Sequence, residues 1–192
     1  MTRWLLTTTY YGTWLPGDKR GSVTSVRDQR RSDSPSLTRR EHSKPGESYE
    51  QHLPLLERAA SEQLRGPPIY FDREMATIVF EQFQETVAFR RWLNHAVAIM
   101  RNHLHIVLEA GDDVLGQKIL ADLKAYASRR LNTHIGKPLS GTWWTSNGSH
   151  RKLRDELAFE SAHNYVVNRQ EFPLLIWDGR KLEYGRVSQG SE

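Results

Sequence analysis

The sequence contains no cysteine. That excludes disulfides, thiolate metal sites and a cysteine nucleophile, and it fits a reducing cytoplasm. No apolar run approaches the roughly 18 residues a bilayer-spanning helix needs. The opening Met1-Thr2-Arg3-Trp4-Leu5-Leu6-Thr7 is too polar to be expected to act as a signal peptide. There is no glycine motif of the phosphate-cradling kind and no internal repeat.

What is present is a 192-residue chain with 38% hydrophobic and 26% charged residues. That is enough for one globular domain with a core. Its 27 lysines and arginines exceed its 23 aspartates and glutamates by four, and the pI is about 9.4. The excess suggests a polyanionic partner. Arginines cluster at Arg30-Arg31, Arg39-Arg40, Arg90-Arg91, Arg129-Arg130, and Arg151-Lys152 with Arg154. Any one such pair reads more readily as ordinary solvated surface. With six tryptophans and seven tyrosines, they tilt the reading towards nucleic acid, because exposed aromatics stack on unpaired bases.

Residues 3–11 are β-branched and aromatic and predict a first strand. A polar, charged excursion follows at about 18–53. Helices are expected at 54–65, with proline at its first position, and at 72–92, with Asp72 as its N-cap. Strands at 94–100 and 103–109 form a hairpin. A helix at about 114–132 follows, then a short strand at Trp143-Trp144-Thr145 and a helix at about 155–171 capped by Asp155. At least one of Trp143 and Trp144 is expected in the core, and Trp14 is assigned there too. The expected organisation is one domain over 1–172 and an irregular tail over 173–192. Setting the excursion aside, the order matches an α+β ferredoxin-like β-α-β-β-α-β unit, an antiparallel sheet with helices on one face, plus an added C-terminal tyrosine-bearing helix.

The densest signal is Asn102-His103-Leu104-His105-Ile106-Val107-Leu108. Strand side chains alternate, so His103 and His105 share one face while Leu104, Ile106 and Leu108 share the other. Two adjacent imidazoles suit a divalent metal. A His-x-His pair is weak evidence in isolation. It gains weight from the buried-looking strand it opens, the basic excursion, and a tyrosine-bearing helix downstream. His95 sits on the neighbouring strand, within reach of the site or simply at the surface. His42, His52, His134, His150 and His163 have no partner at ligand spacing.

Ile99-Met100-Arg101-Asn102-His103-Leu104-His105-Ile106-Val107-Leu108 resembles the His-hydrophobic-His motif of the single-tyrosine HUH transposases, the group containing the REP-associated tyrosine transposases. Thr9 to Gly21, Leu123 to Leu131, Trp143 to Arg151 and Asn164-Tyr165-Val166-Val167-Asn168-Arg169-Gln170 are similar to further family segments. The resemblance runs over most of residues 4–172. It implies a cytoplasmic, nucleoid-associated enzyme that binds a single-stranded DNA hairpin, as a monomer or homodimer. His103 and His105 would hold Mg²⁺ or Mn²⁺. A tyrosine would cleave beside the hairpin, leaving a 5′-phosphotyrosine and a free 3′-hydroxyl.

The resemblance nominates Tyr165 as nucleophile, with Tyr126 as the alternative. Read from its own surroundings, Tyr165 also fits an apolar stripe with Ala158, Ala162 and Val166. Many relatives place a glutamine four residues after the tyrosine; this chain has Arg169 there. Arginine cannot ligate a cation, so either Asn168 or Gln170 substitutes as third ligand, or metal binding is weaker and Arg169 contacts phosphate instead. DNA contacts are expected from Arg101, Lys124, Arg129, Arg130, Arg151, Lys152, Arg154 and Arg169. Two rivals stand beside this reading. One is a non-catalytic hairpin-binding protein of the same fold. The other, more remote, is an RNA-binding domain, whose aromatic pair should occupy the mid-sheet positions held here by the histidines.

Overall fold

The structure is a computed structural model and describes residues 1–20, 52–146 and 148–185. Most of the 18–53 excursion, with Arg30, Arg31, Arg39, Arg40 and His42, lies outside the described residues, as does Asn147. The chain forms two compact units, residues 14–64 and the remainder. In chain order the elements are β1 (Thr2–Thr9), α1 (Pro54–Glu62), α2 (Arg73–Arg90), β2 (Leu93–Ile99), β3 (His103–Ala110), α3 (Gly116–His134), β4 (Ser149–Leu153), α4 (Glu156–Asn168), β5 (Leu175–Trp177) and β6 (Leu182–Tyr184). All but α1 belong to the larger unit.

In the 14–64 unit, α1 starts at Pro54 and buries none of its residues. Gly17 has φ +83°, and a Cβ there would lie 2.6 Å from the Leu53 carbonyl oxygen. Trp14 is only half-buried, with the Arg20 guanidinium 4.9 Å from its ring centroid. It is therefore not the core residue the sequence suggested.

The larger unit is built on one antiparallel sheet of order β4-β1-β3-β2-β5-β6. Its first four strands, with α2 and α3, make the expected ferredoxin-like arrangement, β1 and β3 at its centre. Strand alternation sorts the side chains. Leu6, Leu104, Ile106 and Leu108 are fully buried and pack with Val79 and Phe83 of α2 and Ile119 and Leu123 of α3. On the opposite face Ala96, Ala98, Met100, Val107 and Leu153 pack with Ala162 and Val166 of α4. That face is thus partly roofed by α4, the tyrosine-bearing helix.

Two sequence expectations are corrected. Residues 143–145 are not a strand. Trp144 makes only an isolated bridge to Tyr10, and both tryptophans are buried. Trp143 Nε1 donates to Asn132 Oδ1 at 2.8 Å and Trp144 Nε1 to Ser128 Oγ at 2.8 Å. They plug one end of the core, stacking edge-on to Phe71. The fourth strand is Ser-His-Arg-Lys-Leu at 149–153. It is an edge strand with four of its five residues exposed, and such strands carry charge rather than an apolar pattern. The 173–192 tail, expected to be irregular, contributes β5 and β6. Three-residue strands are too short for a period to register.

Asp155 caps α4 as its sequence position suggests, Oδ1 accepting from the Ala158 N–H at 2.7 Å. Asp155→Ala is expected to cost about 1 kcal/mol, seen as a lower urea midpoint. An unchanged midpoint would show that the cap does not stabilise the helix.

Candidate active site

β1–β3 register determines what surrounds the histidines. Thr7 pairs with His105 and Thr9 with His103, so all four side chains stand on the face that carries α4. The two imidazole centroids are 4.9 Å apart. His105 is buried, and burial lowers its pKa to about 3, with the nearby His103 charge adding to the effect. At neutral pH it is an uncharged ring.

Each ring has a polar neighbour at Nδ1. Thr7 Oγ1 lies 2.7 Å from His105 Nδ1, and Asn102 Oδ1 lies 2.7 Å from His103 Nδ1. The amide oxygen of Asn102 is an acceptor, so His103 Nδ1 carries the proton in that contact. If His105 Nδ1–H likewise donates to Thr7, the Nε2 of that neutral ring is a basic nitrogen. The Tyr165 hydroxyl lies 3.4 Å from His105 Nε2, with ring centroids 5.2 Å apart. Tyr165 is 42% exposed, although Ala162 and Val166 on the same helix are buried. Its ring lies at the edge of the apolar stripe rather than within it.

The donor set suits a divalent cation in part. Two imidazoles whose Nδ1 atoms face polar neighbours leave their Nε2 atoms as the candidate nitrogen ligands. Among the described residues no group of three His, Asp or Glu side chains is placed to hold a metal. A third protein donor would therefore come from an amide or a hydroxyl. α4 ends at Asn168 with Arg169 as its C-cap, so Gln170 is outside the helix. Asn168 Nδ2 donates to Asn164 Oδ1 at 2.9 Å, and Gln170 Nε2 donates to the Tyr165 carbonyl at 2.7 Å.

The remaining candidates scatter. Tyr126 is on α3, in the helical layer across the sheet, and its ring carries the Arg129 guanidinium at 5.0 Å. Arg130 is tied to Glu81 at 2.9 Å and to Glu85, both on α2. These ion pairs link α3 to α2 on the side away from the histidines. On β4, Arg151 pairs with Leu5 and faces the histidine side, whereas Lys152 pairs with Trp4 and faces the other. Arg101, Arg154 and Arg169 are exposed. Lys124 reaches from α3 to the Thr145 carbonyl at 2.6 Å, and burial lowers its pKa to about 8. Thr145 N–H in turn donates to the carbonyl of Thr9, the register partner of His103. His95, on β2, lies against the other end of β3, 3.4 Å from Glu109 and edge-on to Phe159.

Thr7 escaped sequence reasoning. Alternation along β1 puts Thr7 and Thr9 on one face, but only strand register places that face beside the histidines. If His103 and His105 hold Mn²⁺, Thr7→Val would weaken its binding about tenfold, the scale for losing a group that orients a ligating histidine. Titration calorimetry would measure it, and an unchanged affinity would remove Thr7 from the site.

No protein-family model matches the chain, and no curated protein sequence matches it. Among solved structures, a REP-associated tyrosine transposase bound to a REP hairpin is similar at a TM-score of 0.45 and 8% sequence identity. The match covers 86% of this chain and 64% of that one, so this chain spans less than two thirds of that transposase's length.

Proposed function

We propose that the chain nicks and rejoins single-stranded DNA beside a hairpin, with Tyr165 as nucleophile. The observation that carries this is the Tyr165 hydroxyl 3.4 Å from Nε2 of a buried, neutral His105, with His103 alongside. That contact sets the phenolic oxygen beside both imidazoles. The Tyr165 oxygen forms a bond to the scissile phosphorus. The phenol gives up its proton as that bond forms, the bond from phosphorus to the 3′ oxygen breaks, and the 3′ oxygen takes up one proton to leave as a hydroxyl, so no net proton is gained or lost. The 5′-phosphotyrosine keeps the phosphodiester energy, so a later 3′-hydroxyl rejoins the strand by the reverse step.

His103 and His105 would hold Mg²⁺ or Mn²⁺, with Asn168 or Gln170 proposed as third ligand. Such a cation polarises the phosphate and offsets the charge that develops on it. The lone pair it would take on His105 Nε2 is the one the Tyr165 hydroxyl faces. A cation held there would take the place of the Tyr165 hydrogen bond, leaving the hydroxyl next to the site but off that nitrogen. Arg101, Arg151, Arg154 and Arg169 would contact the DNA backbone, as would Lys124.

The second reading, a hairpin-binding protein without chemistry, draws on Arg169 at the family's glutamine position and on Asn168 and Gln170, whose NH2 groups are committed to Asn164 and to the Tyr165 carbonyl. Labelled hairpin DNA with a single-stranded flank, incubated with Mg²⁺ or Mn²⁺, separates the two. A covalent protein–DNA band that chelator abolishes is the expected result. Tight binding without adduct on any hairpin would establish the second reading.

A further inference from the structure

We propose that Phe172 is a stacking platform for an unpaired nucleobase next to the phosphate that Tyr165 attacks. The inference rests on the single-stranded-DNA reading above and adds to it a base-binding subsite.

Phe172 is 88% exposed. Its φ is +50°, in the left-handed region that a bulky residue adopts only when its surroundings force it. Among the described residues Arg91 is the other non-glycine with positive φ, and it has an ordinary cause: it terminates α2 as a left-handed C-cap. Phe172 caps nothing. It is also followed by Pro173, which disfavours compact backbone in the preceding residue.

Both sides of the turn are pinned. On one, Gln170 Nε2 donates to the Tyr165 carbonyl at 2.7 Å. On the other, the Leu174 N–H donates to the Ile99 carbonyl at 2.8 Å, and β5 then pairs with β2. An aromatic ring is thus held in solvent by a turn that its own backbone disfavours. Strain of that kind persists where the surroundings over-determine it, and it concentrates at functional sites.

The anchors also locate the ring. Ile99 precedes Met100, whose N–H donates to the His103 carbonyl at 2.9 Å. Phe172 therefore projects at the sheet end that carries the histidines and the nucleophile. A second exposed aromatic stands at that end. Tyr70 is 52% exposed, with the Arg101 guanidinium 5.8 Å from its ring centroid. Its neighbour Phe71 donates its N–H to the Arg101 carbonyl at 2.8 Å. Arg101, beside Tyr70, and Arg169, three residues before Phe172, are both exposed. Exposed aromatic surface together with exposed cations matches an unpaired strand, whose bases offer π faces and whose phosphates offer charge. It is poorly matched to an apolar peptide or to a second copy of this basic chain.

The test uses hairpin DNA with 2-aminopurine at single positions on either side of the cleavage point, bound to Tyr165→Phe protein so that the strand stays intact. Stacking on Phe172 should quench the fluorophore at one of these positions. Adding Phe172→Ala should abolish that quenching and weaken binding about tenfold, whereas Phe172→Trp should retain both. Removing the base at that position should weaken the parent to the same extent and leave Phe172→Ala unaffected. Equal quenching and affinity with and without the ring would overturn the proposal. So would a Phe172→Ala defect confined to sedimentation, which would mark a protein contact. Adduct formation by wild-type protein without stacking would remove the platform alone. Absence of both adduct and single-strand binding would remove the underlying reading as well.

Discussion

Tyr165→Phe is expected to form no covalent DNA adduct, while Tyr126→Phe forms it at the parent rate. The substitution deletes one oxygen, the one 3.4 Å from His105 Nε2. The ring remains, and with it the edge-on contact to His105 at 5.2 Å. The urea midpoint and the affinity for uncleaved hairpin DNA should therefore stay near parent values. Adduct formation should fall by more than about 10⁴-fold, the scale of losing a covalent nucleophile. Tyr126 lies on α3, across the sheet from both histidines, so its hydroxyl has no route to a phosphate held there. The assay is denaturing electrophoresis of labelled DNA with each variant. An adduct retained by Tyr165→Phe and lost in Tyr126→Phe would transfer the role to Tyr126.

Acid should destabilise the metal-free protein steeply, and His105 should account for much of the slope. Its folded pKa is about 3 against an ordinary 6.5. The folded state therefore binds fewer protons than the unfolded state between those values, and stability rises with pH across that window. Moving from pH 7 to pH 4 protonates the unfolded chain's His105 but not the folded chain's, costing about 3 kcal/mol. His95 has its pKa lowered too, by partial burial, and adds in the same direction. Urea unfolding in chelator at pH 7 and pH 4 measures the difference, and His105→Gln should remove most of it. A slope that survives His105→Gln would show that the ring is not buried neutral in the folded protein.

The sequence-readable part of the site was limited to what lies within single elements. Strand alternation put His103 and His105 on one face and Leu104, Ile106 and Leu108 on the other, as the structure has them. Helical spacing put Ala158, Ala162 and Val166 on one side of α4, but it could not say whether Tyr165 belonged with them. The ring is only one step round the helix from Val166, and its edge position depends on what the helix packs against. The third ligand was equally illegible. Spacing arguments assumed a helix running to Gln170, whereas it stops at Asn168 and the Gln170 amide turns back to the Tyr165 carbonyl.

Apolarity misled at 143–145, where two tryptophans resemble a strand yet fill the end of the core. It was silent at 149–153, where an edge strand needs backbone partners but no buried side chains.

By itself, then, the sequence determined the order of the main elements, the ferredoxin-like unit they make, and the shared face of the two histidines. These follow from side-chain period, capping residues and burial preference, all local properties. The tertiary structure alone decided that Thr7 meets His105, that α4 crosses the histidine face with Tyr165 at its edge, and that Tyr126 and Arg130 lie on the far side. It also decided that Phe172 stands exposed at the histidine end. Register and packing between distant segments are set by how the whole set of apolar surfaces is buried together, and no window of sequence contains that information.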